Sequence, residues 1–450
     1  MPARAPNDAN VVGSGCMLIV VITMFVVLFA FLAGGLWIGW TLAATGTILL
    51  AIFRDIPLDK LLAQYAWNIL TTQELLALPL FILMGEILFR TRLSQSLFRG
   101  LAPWAALLPG RLLHVNVIGC TIFAAISGSS AATTQVVGRI SISELVKRGY
   151  SKDVAVGSLA GAGTLGFLIP PSNIMIIYGV LGDVSIAKLF TAGFIPGFLL
   201  AASFMAWIMV HTTLRPGLVP AGERRIRVAS FAEYVTSLRE LGPAVFLILC
   251  VLGSIYGGIA TPSEAAAVGV LGALVVSGLQ RELGLTALRA IAIGAVQTCA
   301  MIAMIVLGAS ILGSASAFLG IPAAVAEFVA SLGLQPLLLV AALIGFYLVL
   351  GCFLDGFSMI VMTLPIVLPI VKAAGFDPLW FGIFLVLVVE MSQITPPVGF
   401  NLFVIQGLTE DGLGYIARVT MPYLLIMVGF TMLLAAFPDI ALWLPRYLSG

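Results

Sequence analysis

Long apolar runs recur along this 450-residue chain, from about residue 17 to residue 437. Most of them reach the roughly 20 apolar residues that a helix needs to cross a hydrocarbon core of about 30 Å. Charged residues make up only 9% of the sequence, whereas soluble domains carry about a quarter. Because lipid offers no hydrogen-bond partners, such segments must be helices that satisfy their own backbone. The sequence therefore predicts an all-α polytopic membrane protein without a soluble catalytic domain.

Two further pairs of apolar runs are too short to be ordinary crossings. They span residues 112–146 and 336–372, and each arm holds about 15 residues where a crossing takes about 20. We interpret both pairs as re-entrant hairpins, for a total of about 10–12 transmembrane segments. The remaining predicted spans are 17–33, 36–53, 72–89, 153–181, 189–211, 241–259, 262–279, 291–312, 379–408 and 415–437.

Two proline pairs interrupt the most apolar spans. Pro170-Pro171 lies in the segment 153–181, and Pro396-Pro397 lies in the segment 379–408. Proline removes a backbone donor and clashes with the preceding turn, so both segments are predicted to be broken helices. Irregular backbone at membrane depth is tolerated only where protein covers it or where it lines a cavity. The carbonyl groups of 167–169 and 393–395 are therefore expected to be free and to suit a cation such as sodium.

A repeat relates the two parts of the chain. Glycine or proline recurs 226 residues later at four positions, and the hairpin tips Gly128 and Gly356 agree at an offset of 228. The matched pairs are Gly149 with Gly375, Pro170 with Pro396, Pro171 with Pro397, and Pro196 with Pro422. Duplicated halves are common in secondary transporters.

The distribution of positive charge orients the halves. With residues 1–16 as an extracytoplasmic tail, and with 17–53 as two spanning helices rather than a signal peptide, most of the 22 Lys and Arg residues fall on the cytoplasmic side. The two hairpins then enter from opposite sides, so the repeat is predicted to be inverted. Its halves are 17–211 and 241–450, joined by a cytoplasmic connector at 212–240.

The hairpin tips differ in charge. Ser127-Gly128-Ser129-Ser130 places small hydroxyl groups at the start of a half-helix, where free N–H groups and the helix dipole attract anions. Asp355 places a carboxylate at the second tip, where it needs a positive partner. We expect Asp355 to contact a bound cation, and the alternative is a cap at the start of its own helix.

The sequence gives weaker indications of the roles of the other charged residues. Glu264 follows Thr261-Pro262-Ser263 and is expected to cap a helix. Glu390 is expected either to support the site or to make a helix-packing contact. A helix-packing contact is also expected for Glu86. Arg139 meets an anionic substrate or, as we favour, snorkels to the cytoplasmic surface. His114, His211 and the five scattered cysteines form no metal or nucleophile pattern, which argues against an enzyme.

Four motifs together resemble the large membrane subunit of tripartite ATP-independent periplasmic (TRAP) transporters. They are GYSKDVAVGSLAGAGTLGFLIPPSNIMIIYG, LDGFSMIVMTLPIVLPIVKAAGFDPLWFG, ITPPVGFNLFVIQG and YGGIATPSEAAAVG, and the likeness covers about residues 36–437. The resemblance implies an elevator-type fold, with a scaffold and a moving domain built from the two hairpins and the two broken helices. It also implies sodium-driven uptake of an organic acid anion across the bacterial inner membrane.

The resemblance further implies two ion-binding regions. The first lies between the first hairpin tip and the first break: Ser127, Gly128, Ser129, Ser130, Gly166, Ile169, Pro170, Pro171 and Asn173. The second lies between the second tip and the second break: Asp355, Gly356, Ser358, Thr395, Pro396, Pro397, Gly399 and Asn401. Asp355 is the side chain most expected to hold sodium, and no other cofactor is implied.

The implied partners are a small four-helix membrane subunit, a periplasmic solute-binding protein, the organic anion and membrane lipid, without nucleic acid. The alternative is a self-sufficient sodium-coupled dicarboxylate or anion carrier of the same architecture. A channel suits the opposed hairpins less well than alternating access does. Ser143-Glu144-Leu145 and Ser392-Gln393 depart from the usual family pattern, so the transported solute stays open.

Overall fold

The computed structural model describes residues 14–54, 57–91, 93–223, 229–331, 335–352, 354–396 and 399–449. These residues form twenty α-helices and four short 3-10 turns, and no β-strand occurs among them. The all-α prediction is confirmed. Arg4, Arg92, Arg224, Arg225, Arg227, Phe353, Pro397 and most of the predicted tail 1–16 lie outside the described residues.

The first ten helices run to the middle of the chain. They are α1 (Ser14–Ala33), α2 (Ile38–Phe53), α3 (Leu58–Leu70), α4 (Ala77–Phe89), α5 (Leu93–Ala105), α6 (His114–Ser127), α7 (Ser130–Lys147), α8 (Lys152–Thr164), α9 (Asn173–Gly182) and α10 (Ile186–Leu214). Turns of 3-10 helix occupy Gln73–Leu76, Arg111–Leu113, Pro216–Leu218 and Ala221–Glu223.

The other ten helices follow a short connector. They are α11 (Phe231–Tyr256), α12 (Pro262–Leu279), α13 (Leu285–Phe318), α14 (Ile321–Ser331), α15 (Pro336–Gly351), α16 (Gly356–Ala373), α17 (Pro378–Gln393), α18 (Phe400–Thr409), α19 (Leu413–Ala436) and α20 (Asp439–Ser449).

Six of the described helices are long and apolar enough to cross a membrane unaided, namely α10, α11, α12, α13, α16 and α19. A seventh span results if Leu58–Leu70 and Gln73–Phe89, which meet at a bend of 52°, count as one. The chain is thus a polytopic membrane protein. The predicted total of about 10–12 segments depends on the shorter apolar helices, which include α1, α2, three of the four arms of the breaks (α9, α17 and α18) and two of the four hairpin arms (α6 and α15).

The helix boundaries place two interruptions in each half. In the first half α6 and α7 flank Gly128-Ser129, and α8 and α9 flank residues 165–172. In the second half α15 and α16 flank residues 352–355, and α17 and α18 flank residues 394–399. The order of elements is therefore the same in both halves. The inverted relation, the re-entrant path and the elevator motion stay predictions.

The broken helices form the centre of the molecule. Every residue from Val154 to Thr164 in α8 is buried, and so is every residue from Trp380 to Gln393 in α17. In contrast α1, α11, α12 and α13 expose large apolar side chains, as lipid-facing helices do. Residues 165–172 of the first break are buried too, whereas in the second break Ile394 and Gly399 are buried and Pro396 is exposed. Protein therefore covers the first proline break, which is the condition under which irregular backbone survives at membrane depth.

The connector is shorter than the predicted 212–240. Helix α10 continues to Leu214 and α11 begins at Phe231. Ser230 caps α11, because its hydroxyl accepts from the Glu233 N–H while the Glu233 carboxylate accepts from the Ser230 N–H at 3.0 Å. This capping box lets a polar first turn join an apolar helix. Four short helices that the apolar runs did not predict, α3, α5, α14 and α20, complete the fold.

Helices α2 and α13 pack backbone to backbone. A Cβ atom added at Gly39 would lie 2.7 Å from the Met304 carbonyl oxygen, and one at Gly46 would lie 2.9 Å from Leu312 Cα. At Gly308 it would overlap the Gly39 carbonyl oxygen. Small residues at helix interfaces in membranes allow this close approach, so these glycines hold the outer helices together.

Gly308→Ala is expected to lower the free energy of unfolding by about 1–3 kcal/mol, because the new methyl group must push α2 away from α13. The matched control is Gly429→Ala in α19, where a Cβ atom meets nothing within 4 Å. That control is expected to keep or slightly raise stability, since alanine favours a helix over glycine. Thermal unfolding in detergent measures both variants, and equal midpoints would contradict this packing.

Candidate functional site

The first hairpin tip lies against the first break. The Ser130 hydroxyl donates to the Gly163 carbonyl at 3.1 Å, and the Asn173 N–H donates to the Gly128 carbonyl at 3.3 Å. Gly128 has a φ of 59°, a left-handed conformation that glycine adopts readily. A Cβ atom at Gly166 would lie 2.6 Å from the Ser129 carbonyl oxygen. The tip and the break are therefore in direct backbone contact.

Side chains of the first tip mainly stabilise its turn. The Ser129 hydroxyl accepts from the Ala132 N–H at 3.4 Å, so Ser129 is the N-cap of α7. The Ser127 hydroxyl bonds the Thr133 hydroxyl at 3.0 Å. Ser127 and Ser130 are buried. The hydroxyl groups of the tip are thus held in fixed positions.

The first break leaves carbonyl groups without donors. Among the described residues, no backbone N–H donates to the carbonyls from Gly166 to Pro171. The peptide bond between Pro170 and Pro171 is cis, and Ile169 is 2% exposed. Asn173 begins α9, and its Oδ1 atom is buried without a hydrogen-bond partner in the described structure. Oxygen acceptors therefore gather around this break.

The second hairpin tip is organised by Asp355. Its Oδ2 atom accepts from the N–H groups of Phe357 at 3.1 Å and Ser358 at 3.4 Å, and the Ser358 hydroxyl donates to Oδ1. The structure therefore shows the capping alternative for Asp355. Contact with a cation stays a prediction, because a capping carboxylate still has further lone pairs. Gly356 lies against Val389 and Gln393 of α17.

The second break differs in detail from the first. The Thr395 hydroxyl donates to the Met391 carbonyl at 2.7 Å, and the Gly399 N–H donates to the Thr395 carbonyl at 3.0 Å. The prediction that the Thr395 carbonyl is free was therefore wrong, because the Gly399 N–H, four residues later, supplies a donor. The Cys352 thiol contacts the Pro396 carbonyl at 3.5 Å. Pro397 lies outside the described residues.

The two predicted regions meet in one place. The Asn401 side-chain amide donates to the Ser130 hydroxyl at 2.6 Å. The rings of Phe167 and Phe357 pack edge to face with centroids 6.0 Å apart. Each hairpin tip therefore contacts elements of both halves, whereas the sequence assigned each tip to the break of its own half. The sequence did carry a signal that these residues are equivalent in the two halves. Ser358 follows Ser130 by 228 residues, and Asn401 follows Asn173 by the same interval.

Glu390 lies beside this region. It is 0% exposed, its carboxylate is close to the backbone N–H groups of Phe167 and Leu168, and neither oxygen has a geometrically formed hydrogen bond in the described residues. Burial next to the first break favours the site-support alternative. The sequence also suggests roles for three other charged residues, Glu86, Glu264 and Arg139.

Glu86 pairs with Arg90 at 3.5 Å and lies against Gly294 of α13, so it makes a packing contact in the outer helices. Glu264 caps α12 together with Thr261, which confirms the capping prediction. Arg139 is exposed on α7. No group of three or more His, Cys, Asp or Glu side chains that could hold a metal occurs in the described part of the chain.

Comparison with known proteins gives one consistent family. A sequence profile described as tripartite ATP-independent periplasmic transporter, DctM component, matches residues 25–440. The C4-dicarboxylate TRAP transporter large permease protein DctM of Pseudomonas aeruginosa is 34% identical over 376 residues, which cover 83% of this chain and 87% of that protein. The isethionate TRAP transporter permease protein DctMQ of Oleidesulfovibrio alaskensis is 32% identical over 414 residues, 92% of this chain and 63% of that protein.

A solved structure shares the fold at low sequence identity. The YdaH transporter of Alcanivorax borkumensis superposes with a TM-score of 0.60 at 14% identity, over 94% of this chain and 98% of that one. The relatives are named as transport proteins and not as enzymes.

Proposed function

The chain belongs to the DctM family of tripartite ATP-independent periplasmic transporters, and we propose that it is the permease subunit that imports an organic acid anion with sodium. It is a transport protein and not an enzyme. The observation that carries the proposal is the contact of the hairpin tips with the breaks of both halves, where α7, α9, α16 and α18 begin.

The N-terminal ends supply an environment for an anion. Helices α7, α9, α16 and α18 all begin in this region, as the bonds from Asn401 to Ser130 and from Asn173 to Gly128 show for three of them. Gly356, the first residue of α16, lies against Ile174 of α9. The positive dipole ends of these helices at membrane depth favour a carboxylate or similar group.

The breaks and the second tip supply oxygen ligands for a cation. Free carbonyls follow α8, and Asn173 and Asn401 each place a buried Oδ1 atom without a partner in the described structure. Sodium accepts such hard oxygen donors in other transporters with broken helices. The residues present therefore fit sodium, with Asn173 at the first break and Asn401 and Asp355 at the second. When bound, sodium supplies the positive charge that offsets the charge of the anion.

The proposed partners follow from the family. A periplasmic solute-binding protein delivers the anion, and a small four-helix membrane subunit flanks the permease in the inner membrane. The DctMQ relative is longer than this chain, which covers 63% of it, and its name supports a second membrane component. The alternative is a self-sufficient sodium-coupled anion carrier, which would need neither partner.

Reconstitution in liposomes tests the proposal. With the small subunit and the binding protein, uptake of the cognate acid is expected to require an inward sodium gradient, since the oxygen-lined breaks bind the driving ion. Radiolabelled substrate measures uptake with sodium or choline outside, and with or without the binding protein. Uptake that ignores sodium would refute sodium coupling, while uptake that ignores the binding protein would favour the self-sufficient carrier.

Asp355→Asn is expected to raise the sodium concentration for half-maximal uptake by about tenfold, because it removes a charge worth about 1.4 kcal/mol at the site. Asparagine is a good N-cap, so folding is expected to change little. Asp377→Asn is the matched control, because Asp377 caps α17 through the Leu379 N–H at 2.7 Å and lies away from both tips. An unchanged sodium response of Asp355→Asn would contradict the cation role of Asp355.

A further inference from the structure

One side-chain hydrogen bond joins the two halves inside the buried centre. The Ser130 hydroxyl accepts from the Asn401 amide at 2.6 Å and donates to the Gly163 carbonyl at 3.1 Å. Ser130 and Asn401 are both 0% exposed. One hydroxyl group therefore connects α18 of the second half, α7 of the first hairpin and α8 of the first broken helix.

The equivalent positions 228 residues away do not form this connection. The Ser358 hydroxyl bonds Asp355 within its own hairpin. The Asn173 Oδ1 atom has no hydrogen-bond partner among the residues described. The reason is the difference between the tips, since Asp355 engages its serine and the first tip has Ser127 in the corresponding position. A serine–asparagine bond between the halves is thus formed by Ser130 and Asn401 and not by Ser358 and Asn173.

The hydrogen bond also fixes the orientation of the Asn401 carboxamide. The amide group is planar and rigid, so holding its nitrogen on Ser130 determines where the oxygen points. That oxygen is buried and has no partner in the described structure. When the Ser130 hydroxyl bonds the Gly163 carbonyl, the first tip is held against α8. The same hydroxyl then sets the direction in which the Asn401 oxygen points at the second break.

We propose that Ser130 is a positioning residue that couples the two ion-binding regions by orienting the Asn401 carboxamide. The inference rests on the proposed sodium coupling. Closure of the first tip raises the affinity of the second region for sodium, and by reciprocity a cation held by Asn401 favours the closed first tip.

Sodium titration of uptake tests the coupling. Ser130→Ala is expected to lower the Hill coefficient for sodium from about 2 toward about 1 and to raise the half-saturating sodium concentration by about tenfold. Asn401→Asp is the second variant, because it keeps an oxygen at the site but can only accept from Ser130, whose single proton then no longer reaches the Gly163 carbonyl. It is expected to lower the Hill coefficient as well, and it covers the case in which Ser130→Ala does not fold.

Thr133→Val is the matched control. The Thr133 hydroxyl is buried in the same hairpin but bonds only within it, to the Ser129 carbonyl at 2.7 Å and to Ser127. A structural loss would lower the thermal unfolding midpoint in Thr133→Val and Ser130→Ala alike, so only a changed Hill coefficient reports coupling. The control is expected to keep the wild-type Hill coefficient.

Wild-type Hill coefficients in Ser130→Ala and Asn401→Asp would overturn the positioning role while leaving sodium-driven uptake intact. A wild-type protein that does not respond to sodium would instead overturn the proposed function, and the coupling with it. The wild-type titration separates these two failures.

Discussion

Backbone polar groups cannot remain unpaired in lipid, and this constraint governs how the rest of the molecule is arranged. Each proline pair frees carbonyl groups that would cost several kcal/mol if they faced hydrocarbon. The protein covers those of the first break, because α8 and residues 165–172 are buried, and it covers Ile394 of the second break beside the buried α17. The hairpin tips close over the breaks from both halves. The polar centre is thus the consequence of breaking two helices where only protein can meet the freed groups.

The outer helices serve this arrangement by packing closely and facing lipid. Glycines allow α2 and α13 to touch through their backbones, while large apolar side chains of α1, α11, α12 and α13 point outward. Charged pairs such as that of Lys152 with Asp411, at 2.8 Å, lie at the helix ends. The division between an outer frame and a polar centre is the architecture that an elevator mechanism would use.

Much of the fold could be predicted from the sequence because its strongest signals are local. Apolar length located the long helices, and the prolines located both breaks to within a few residues. Helices α3, α5 and α20 were missed because polar residues interrupt their apolar pattern, and α14 because it is only 11 residues long. The Ser130 to Asn401 bond joins residues 271 positions apart, so it depends on the tertiary fold, which no local pattern encodes.

We propose that the purified chain itself holds sodium among the oxygen atoms of its broken helices. Thermal unfolding of the isolated protein in detergent, with sodium, potassium or choline chloride at equal ionic strength, separates specific binding from a general effect of salt. A ligand that binds only the folded state stabilises it by RT ln(1 + [L]/Kd), where [L] is the free ligand concentration. With sodium alone, the predicted result is an unfolding midpoint that rises with the logarithm of the sodium concentration. Identical unfolding curves in the three salts would contradict it.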